Sequence, residues 1–332
     1  MMREAALRAA WYSKNGAARE VLEVGELPTP EPGRGEVRVR LHVSGVNPSD
    51  VKSRRGRPLI AERIVPHSDG AGVIDAVGPD VPASRVGQRV WTWNGQWQRP
   101  FGTAAEYIVL PSQQAVALPD DVAFDAGACF GIPALTAIHA VNLLGAIKGC
   151  TVLVIGAATS VGHYVAQVAA RRGARVIGTV GSVEKAAHAK AAGVAEVIDY
   201  KREDVAQRVK DLTGGVGADA VVDMDFSSTA AMLAQGILRP HGELVSYGSN
   251  SMEQVPVPFR DLLFRGITLR FFVVYELLPA EREKALSDLH ELLTAKALRH
   301  TIAARFPLHE IAAAHEAVEQ GRFTGNVVLD LA

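Results

Sequence analysis

The sequence predicts an α/β chain in which a mostly β, barrel-like part precedes a doubly wound parallel sheet. Three observations carry that prediction. Residues 1 to about 122 consist of short period-two runs punctuated by Gly and Pro. From about Pro119 onward, short apolar runs alternate with helical stretches, the rhythm of βαβ units. Residues 151–166 then read as a buried strand, a small-residue turn and a helix, in that order.

In the first part, Val37-Arg38-Val39-Arg40-Leu41-His42-Val43 alternates apolar and polar residues, as a half-buried strand does. Turn clusters stand at Pro28–Gly33 and Gly78-Pro79-Asp80, and Ala71–Gly78 reads as a strand with a glycine-bearing start. In the second part the strands are Thr151–Ile155, Ala174–Gly178, Glu196–Asp199, Ala220–Asp223 and Gly242–Ser246. Beyond about residue 262 come a strand-like run at Ile267–Val274, an amphipathic helix around Ala280–Leu298 and a last strand at Asn326–Asp330, which is expected to return to the first domain.

Composition sets bounds on function. With 332 residues and 48% hydrophobic content, the chain is long enough for two domains. A formal net charge of -1 supplies no field to draw nucleic acid or an anionic membrane, so neither partner is expected. The two cysteines, Cys129 and Cys150, stand apart in apolar settings, which fits a reducing cytoplasm. No apolar stretch is long enough for a membrane span, and the first residues lack the pattern of an export signal.

The sharpest local signal is the turn Gly156-Ala157-Ala158-Thr159-Ser160-Val161-Gly162 between its strand and helix. Gly156 permits a tight exit from the strand, small residues let the backbone approach a pyrophosphate, and Gly162 allows close helix–strand packing. The helix amides and dipole face the phosphates. Ser160 replaces the middle glycine of the usual pattern, and such a turn also occurs as a plain strand–helix connection.

Five further segments give the chain a specific likeness: Gly45–Asp50, Asp69–Ile74, Val86–Val90, Gly102–Tyr107 and Gly131–Ala137. In this order they resemble the zeta-crystallin-like NADPH:quinone oxidoreductases of the zinc-free medium-chain dehydrogenase/reductase superfamily, from about residue 3 to the end. The resemblance implies a GroES-like catalytic domain from residues 1–122 and 263–332, a Rossmann NADP-binding domain over 123–262, and an active site in the cleft between them. Zinc alcohol dehydrogenases share that architecture but use two Cys and a His as catalytic ligands. Here those positions carry Asn47, Ser68 and about Ile132, and an amide, a hydroxyl and an alkyl group cannot replace thiolate and imidazole. His67, one residue before the His position, is the one neighbouring ligand type. A Tyr on which related enoyl thioester reductases depend is missing near Gly56-Arg57-Pro58.

The resemblance also implies site residues. Asn47 is assigned a positioning role, hydrogen-bonding a ribose hydroxyl or the acceptor oxygen, with capping of the Asn-Pro turn as the alternative. Thr136, the glycine turn, Tyr247, Gly248, Ser249, Phe271, Phe272 and Asn326 are assigned to the cofactor, the Phe pair as a flat apolar wall for a ring-shaped acceptor. The second βαβ strand ends in Gly178-Thr179-Val180 without the carboxylate that would accept from a ribose 2′-hydroxyl. Gly181, Ser182, Lys185 and Tyr200 are matched to a 2′-phosphate instead, so the cofactor is expected to be NADPH. The expected substrate is a quinone; activated alkenes, enones and small carbonyls are the alternatives, with a non-enzymatic crystallin-like or RNA-binding role as the reading from another class. A homodimer or homotetramer joined through the edge at Ile267–Val274 is expected.

Overall fold

The computed structural model describes residues 6–321 and 323–331, and these divide into two units: residues 6–132 with 300–331, and Pro133–Arg299.

The first unit is the β-rich one. Its main sheet runs in the order Ile302–Pro307, Asn326–Asp330, Glu36–Val46, Asp69–Val77, Arg89–Thr92 and Ala115–Ala117, with Tyr107–Pro111 also pairing to Glu36–Val46. The expected alternation is realised: Val37, Val39, Leu41 and Val43 are buried, and Val37, Val39 and Leu41 join Leu7, Ile74, Ile108, Leu110 and Leu329 in one apolar core. Strand Asn326–Asp330 lies antiparallel to Glu36–Val46, so the late segment does complete the early sheet. A hairpin, Ala6–Trp11 with Glu23–Pro28, and the helix Pro48–Gly56 were not read from the sequence.

The second unit holds a six-stranded sheet, parallel throughout, in the order Glu196–Asp199, Arg175–Val180, Thr151–Val154, Ala218–Asp223, Leu238–Ser246, Thr268–Phe271. In chain sequence this is 3-2-1-4-5-6, the doubly wound order whose direction reverses beside the first strand, where dinucleotides bind in folds of this kind. The units change over at 132/133 and 299/300 rather than at 122 and 262. Strand Thr268–Phe271 pairs parallel with Leu238–Ser246, and helix Pro279–Thr294 packs on helix Leu135–Leu143, which holds residues 263–299 in this unit. The strand-like run at 267–274 is also shorter than expected, because the chain turns into a 3-10 segment at Val274–Glu276.

Candidate functional site

In the second unit the glycine turn is built as the chemistry demands. Strand Thr151–Val154 ends, Gly156 adopts φ +72°, and helix Ser160–Arg171 begins after the N-cap Thr159. Thr159 Oγ1 donates to the Gly156 carbonyl at 2.8 Å and accepts from the Gly162 amide at 3.1 Å, so this side chain fastens the turn. A Cβ on Gly162 would lie 2.2 Å from the Gly156 carbonyl oxygen, which is why the helix can sit this close to the strand. Thr179 was missed in the sequence. Its hydroxyl accepts from the Gly156 amide at 2.8 Å and its carbonyl accepts from the Ala157 amide at 3.0 Å, tying the turn to the neighbouring strand. Those two amides are therefore engaged within the protein.

The four residues matched to a 2′-phosphate come together. Ser182 caps helix Val183–Ala191, accepting from the Lys185 amide at 3.2 Å. The Tyr200 hydroxyl lies 2.6 Å from where a Gly181 Cβ would be, so the phenol sits directly against this glycine. Lys185 is half-buried and Tyr200 exposed.

Tyr247, Gly248 and Ser249 follow strand Leu238–Ser246 in a loop held by two acids that the sequence reading did not single out. Asp223 accepts from Ser246 Oγ at 2.8 Å and Thr229 Oγ1 at 2.7 Å, and Asp225 accepts from the Asn250 backbone amide at 2.8 Å and its Nδ2 at 2.9 Å. Phe271 and Phe272 do not form one wall. They are consecutive at a strand end and diverge: Phe271 meets Phe226 edge-on at 4.9 Å, and Phe272 meets His139 edge-on at 4.7 Å with Tyr247 at 6.2 Å. Thr136 sits on helix Leu135–Leu143 with its hydroxyl buried and without a hydrogen-bond partner among the described residues.

In the first unit, Asn47 caps helix Pro48–Gly56 in a reciprocal capping box with Asp50, whose carboxylate accepts from the Asn47 backbone amide at 2.8 Å. Asn47 Nδ2 donates to Asp69 Oδ2 at 2.9 Å, and the Ile132 amide donates to the same oxygen at 3.0 Å. Burial pushes the Asp50 carboxyl up to about 7, with the Asn47 hydrogen bonds and Arg57 opposing. Asp69 is pushed well above the carboxylate range by burial first and by Asp50 second, and its Oδ1 has no partner among the described residues. Asn326 is buried within this unit, its amide donating to the Thr301 carbonyl at 3.3 Å.

Behind Asp69 runs a buried hydrogen-bond chain whose direction chemistry fixes. An arginine Nε can only donate, so Arg54 Nε donates to His315 Nδ1 at 3.4 Å; His315 Nε2 then donates to His67 Nε2 at 2.9 Å. His67 Nδ1 donates to Ser44 Oγ at 2.9 Å, Ser44 to Thr103 Oγ1 at 2.8 Å, and Thr103 to the Asp69 carbonyl at 2.6 Å. Arg54 is also paired with Glu319 and the Gly16 carbonyl. Both histidines are neutral, His67 held down to about 3 by burial and His315 lowered by burial, His67 and Arg54.

Comparison with known proteins places this architecture. Residues 33–120 match the alcohol dehydrogenase GroES-like domain and residues 160–291 match the zinc-binding dehydrogenase model. A quinone oxidoreductase from Pseudomonas aeruginosa is 34% identical over 317 residues, covering 93% of this chain and 95% of that one.

The chain belongs to the quinone oxidoreductase family of medium-chain dehydrogenases/reductases.

Family membership makes it an oxidoreductase. A 2-haloacrylate reductase from a Burkholderia species is 32% identical, covering 97% of this chain and 98% of the other. A mycobacterial protein solved with NADPH superposes with a TM-score of 0.86 at 31% identity, over 98% of this chain and 99% of that one. The zinc named in one matching family model does not fit the residues present in this quinone oxidoreductase relative. Asn47 faces Asp69, Ser68 Oγ accepts from the Gln96 amide at 3.3 Å, and Ile132 is alkyl. Both ring nitrogens of His67 are held in the chain described above.

Proposed function

We propose that the protein reduces quinones with NADPH by hydride transfer, without a metal ion. The observation that carries this reading is the cradle in the second unit, where glycine positions a side chain would fill lead into a helix N-terminus, and Gly181, Ser182, Lys185 and Tyr200 gather at the end of the second strand without a carboxylate. When bound there, NADPH supplies the hydride. The first turn of helix Ser160–Arg171 would hold its pyrophosphate, Lys185 with Ser182 and Tyr200 its 2′-phosphate, and the Tyr247–Ser249 loop, fixed by Asp223 and Asp225, would orient its far end. Quinones accept hydride readily because the ring delocalises the resulting oxyanion, so positioning in a water-poor site replaces the Lewis acid that ordinary ketones need. A second reading, reduction of an activated C=C bond, is favoured by the 2-haloacrylate reductase relative. We also infer a cytoplasmic location, supported by the free cysteines Cys129 and Cys150; among the described residues no helix is long and apolar enough to cross a membrane.

The test is oxidation of NADPH and NADH against quinones, enones and aldehydes, before and after chelation. Quinone turnover with NADPH that survives the chelator is expected. Turnover confined to aldehydes, or abolished by chelation and restored by zinc, would overturn the reading.

A further inference from the structure

The first unit contains a pocket of about 130 Å³ walled by Tyr12, Ser53, Arg57, Pro58, Leu59, Ile60, Ile64, Gln96, Trp97 and Gln98. Three features give it a chemical character. Its lining combines apolar side chains, Leu59, Ile60, Ile64 and the Trp97 ring, with polar ones. Tyr12 and Ser53, which line it and are only 3% and 7% exposed as residues, carry hydroxyls that form no hydrogen bond among the described residues and stay open to solvent, so a ligand entering the pocket can engage them in place of water. The Tyr12 phenol is pushed up to about 12, chiefly by burial, so at neutral pH it is a donor.

The third feature is Arg57. Its guanidinium stacks over the Trp97 ring at 4.7 Å and forms no ion pair among the described residues, although it stands at the pocket. Its backbone amide caps helix Pro48–Gly56 through the Ser53 carbonyl, and its own carbonyl accepts from Asn15 Nδ2 at 3.1 Å, which fixes where the side chain starts. A cation already oriented by an aromatic ring is a ready partner for a planar anion. A cavity on the order of 150 Å³ accepts one benzene ring, so this one suits a single ring or a short conjugated chain.

We propose that this pocket binds a small planar carboxylate, with Arg57 and the Tyr12 and Ser53 hydroxyls on the carboxylate and Trp97 along the plane of the ligand.

Benzoate and its uncharged analogue benzamide separate charge recognition from shape. Calorimetry with the full chain, without NADPH, is expected to show benzoate binding roughly tenfold tighter than benzamide, the scale of one charge-assisted hydrogen bond. Arg57→Gln should remove that difference, Arg57→Lys should keep part of it, and Tyr12→Phe should weaken benzoate by a smaller factor. Arg57 is exposed, and an unchanged melting temperature for its variants checks that they fold. Equal binding of the two probes, no binding of either, or benzoate binding indifferent to Arg57→Gln overturns the pocket.

Discussion

Asp50 is buried beside a second buried acid, Asp69, and its carboxyl is held up to about 7 against an ordinary value near 4. Between those values the folded protein keeps a proton that the unfolded chain has released, so this group makes stability fall as pH rises from about 4 to 7. His67 and His300, held down by burial to about 3 and 4, act in the opposite sense: the unfolded chain protonates first, and their contribution falls as pH drops below about 6.5. The two trends mask each other in the wild type. Asp50→Asn keeps an acceptor for the Asn47 amide but cannot titrate, so its melting temperature relative to wild type should climb steadily between pH 4.5 and 7.5; a constant offset would show that Asp50 ionises normally. At the same scale, Lys185 offers its ammonium next to Ser182 and Gly181. A charge-assisted contact is worth about 1.5–3 kcal/mol, and for a half-exposed lysine the lower end applies. Lys185→Ala should therefore raise the Michaelis constant for NADPH about tenfold and leave that for NADH nearly unchanged. Equal weakening of both would shift attention to Glu184.

The element proposed to hold the cofactor's pyrophosphate is the strand–turn–helix at residues 151–171. Gly162→Ala would put a methyl group 2.2 Å from the Gly156 carbonyl oxygen, and the relief available is to lift the helix from the strand. Overpacking of this kind costs about 1–3 kcal/mol, so calorimetric unfolding and NADPH titration should both worsen; an unchanged affinity would mean that the turn has slack. This element was legible in the sequence because its glycines and its order leave few other readings. The period-two strand at Glu36–Val46 was legible for the same reason. The fastening of the turn by Thr179 was not, since it depends on a neighbouring strand, nor was the divergence of Phe271 from Phe272, which depends on where a strand ends. Least legible were the groups that meet only through the fold. Ser44, His67, Thr103 and His315 are scattered along the chain, and Tyr12 reaches the pocket of Arg57 and Trp97 through a pairing with Ile64.

For the whole molecule, strand Thr268–Phe271 closes the six-stranded sheet with one side unpaired. Around it Phe259, Leu263, Phe264, Phe271 and Val273 are exposed, Phe264 by 75%. An open strand edge bordered by apolar side chains is a surface that monomers rarely leave bare. Light scattering at micromolar concentration should report a dimer or a multiple of it, and Phe264→Glu should shift the population toward monomer; a monomeric wild type would refute the assignment of this edge.

The pairing of Asn326–Asp330 with Glu36–Val46 also sets a timetable for synthesis. On the ribosome, every strand of the Pro133–Arg299 sheet emerges before that partner strand exists, so the inserted unit can finish folding while the earlier one still presents an unpaired edge. Nascent chains arrested near residue 310, once clear of the exit tunnel, should accordingly yield a protease-resistant fragment from the middle of the sequence and lose residues 6–132; release of the remaining segment should protect both. For this protein the vulnerable interval is the one during which the first-made half waits for the last.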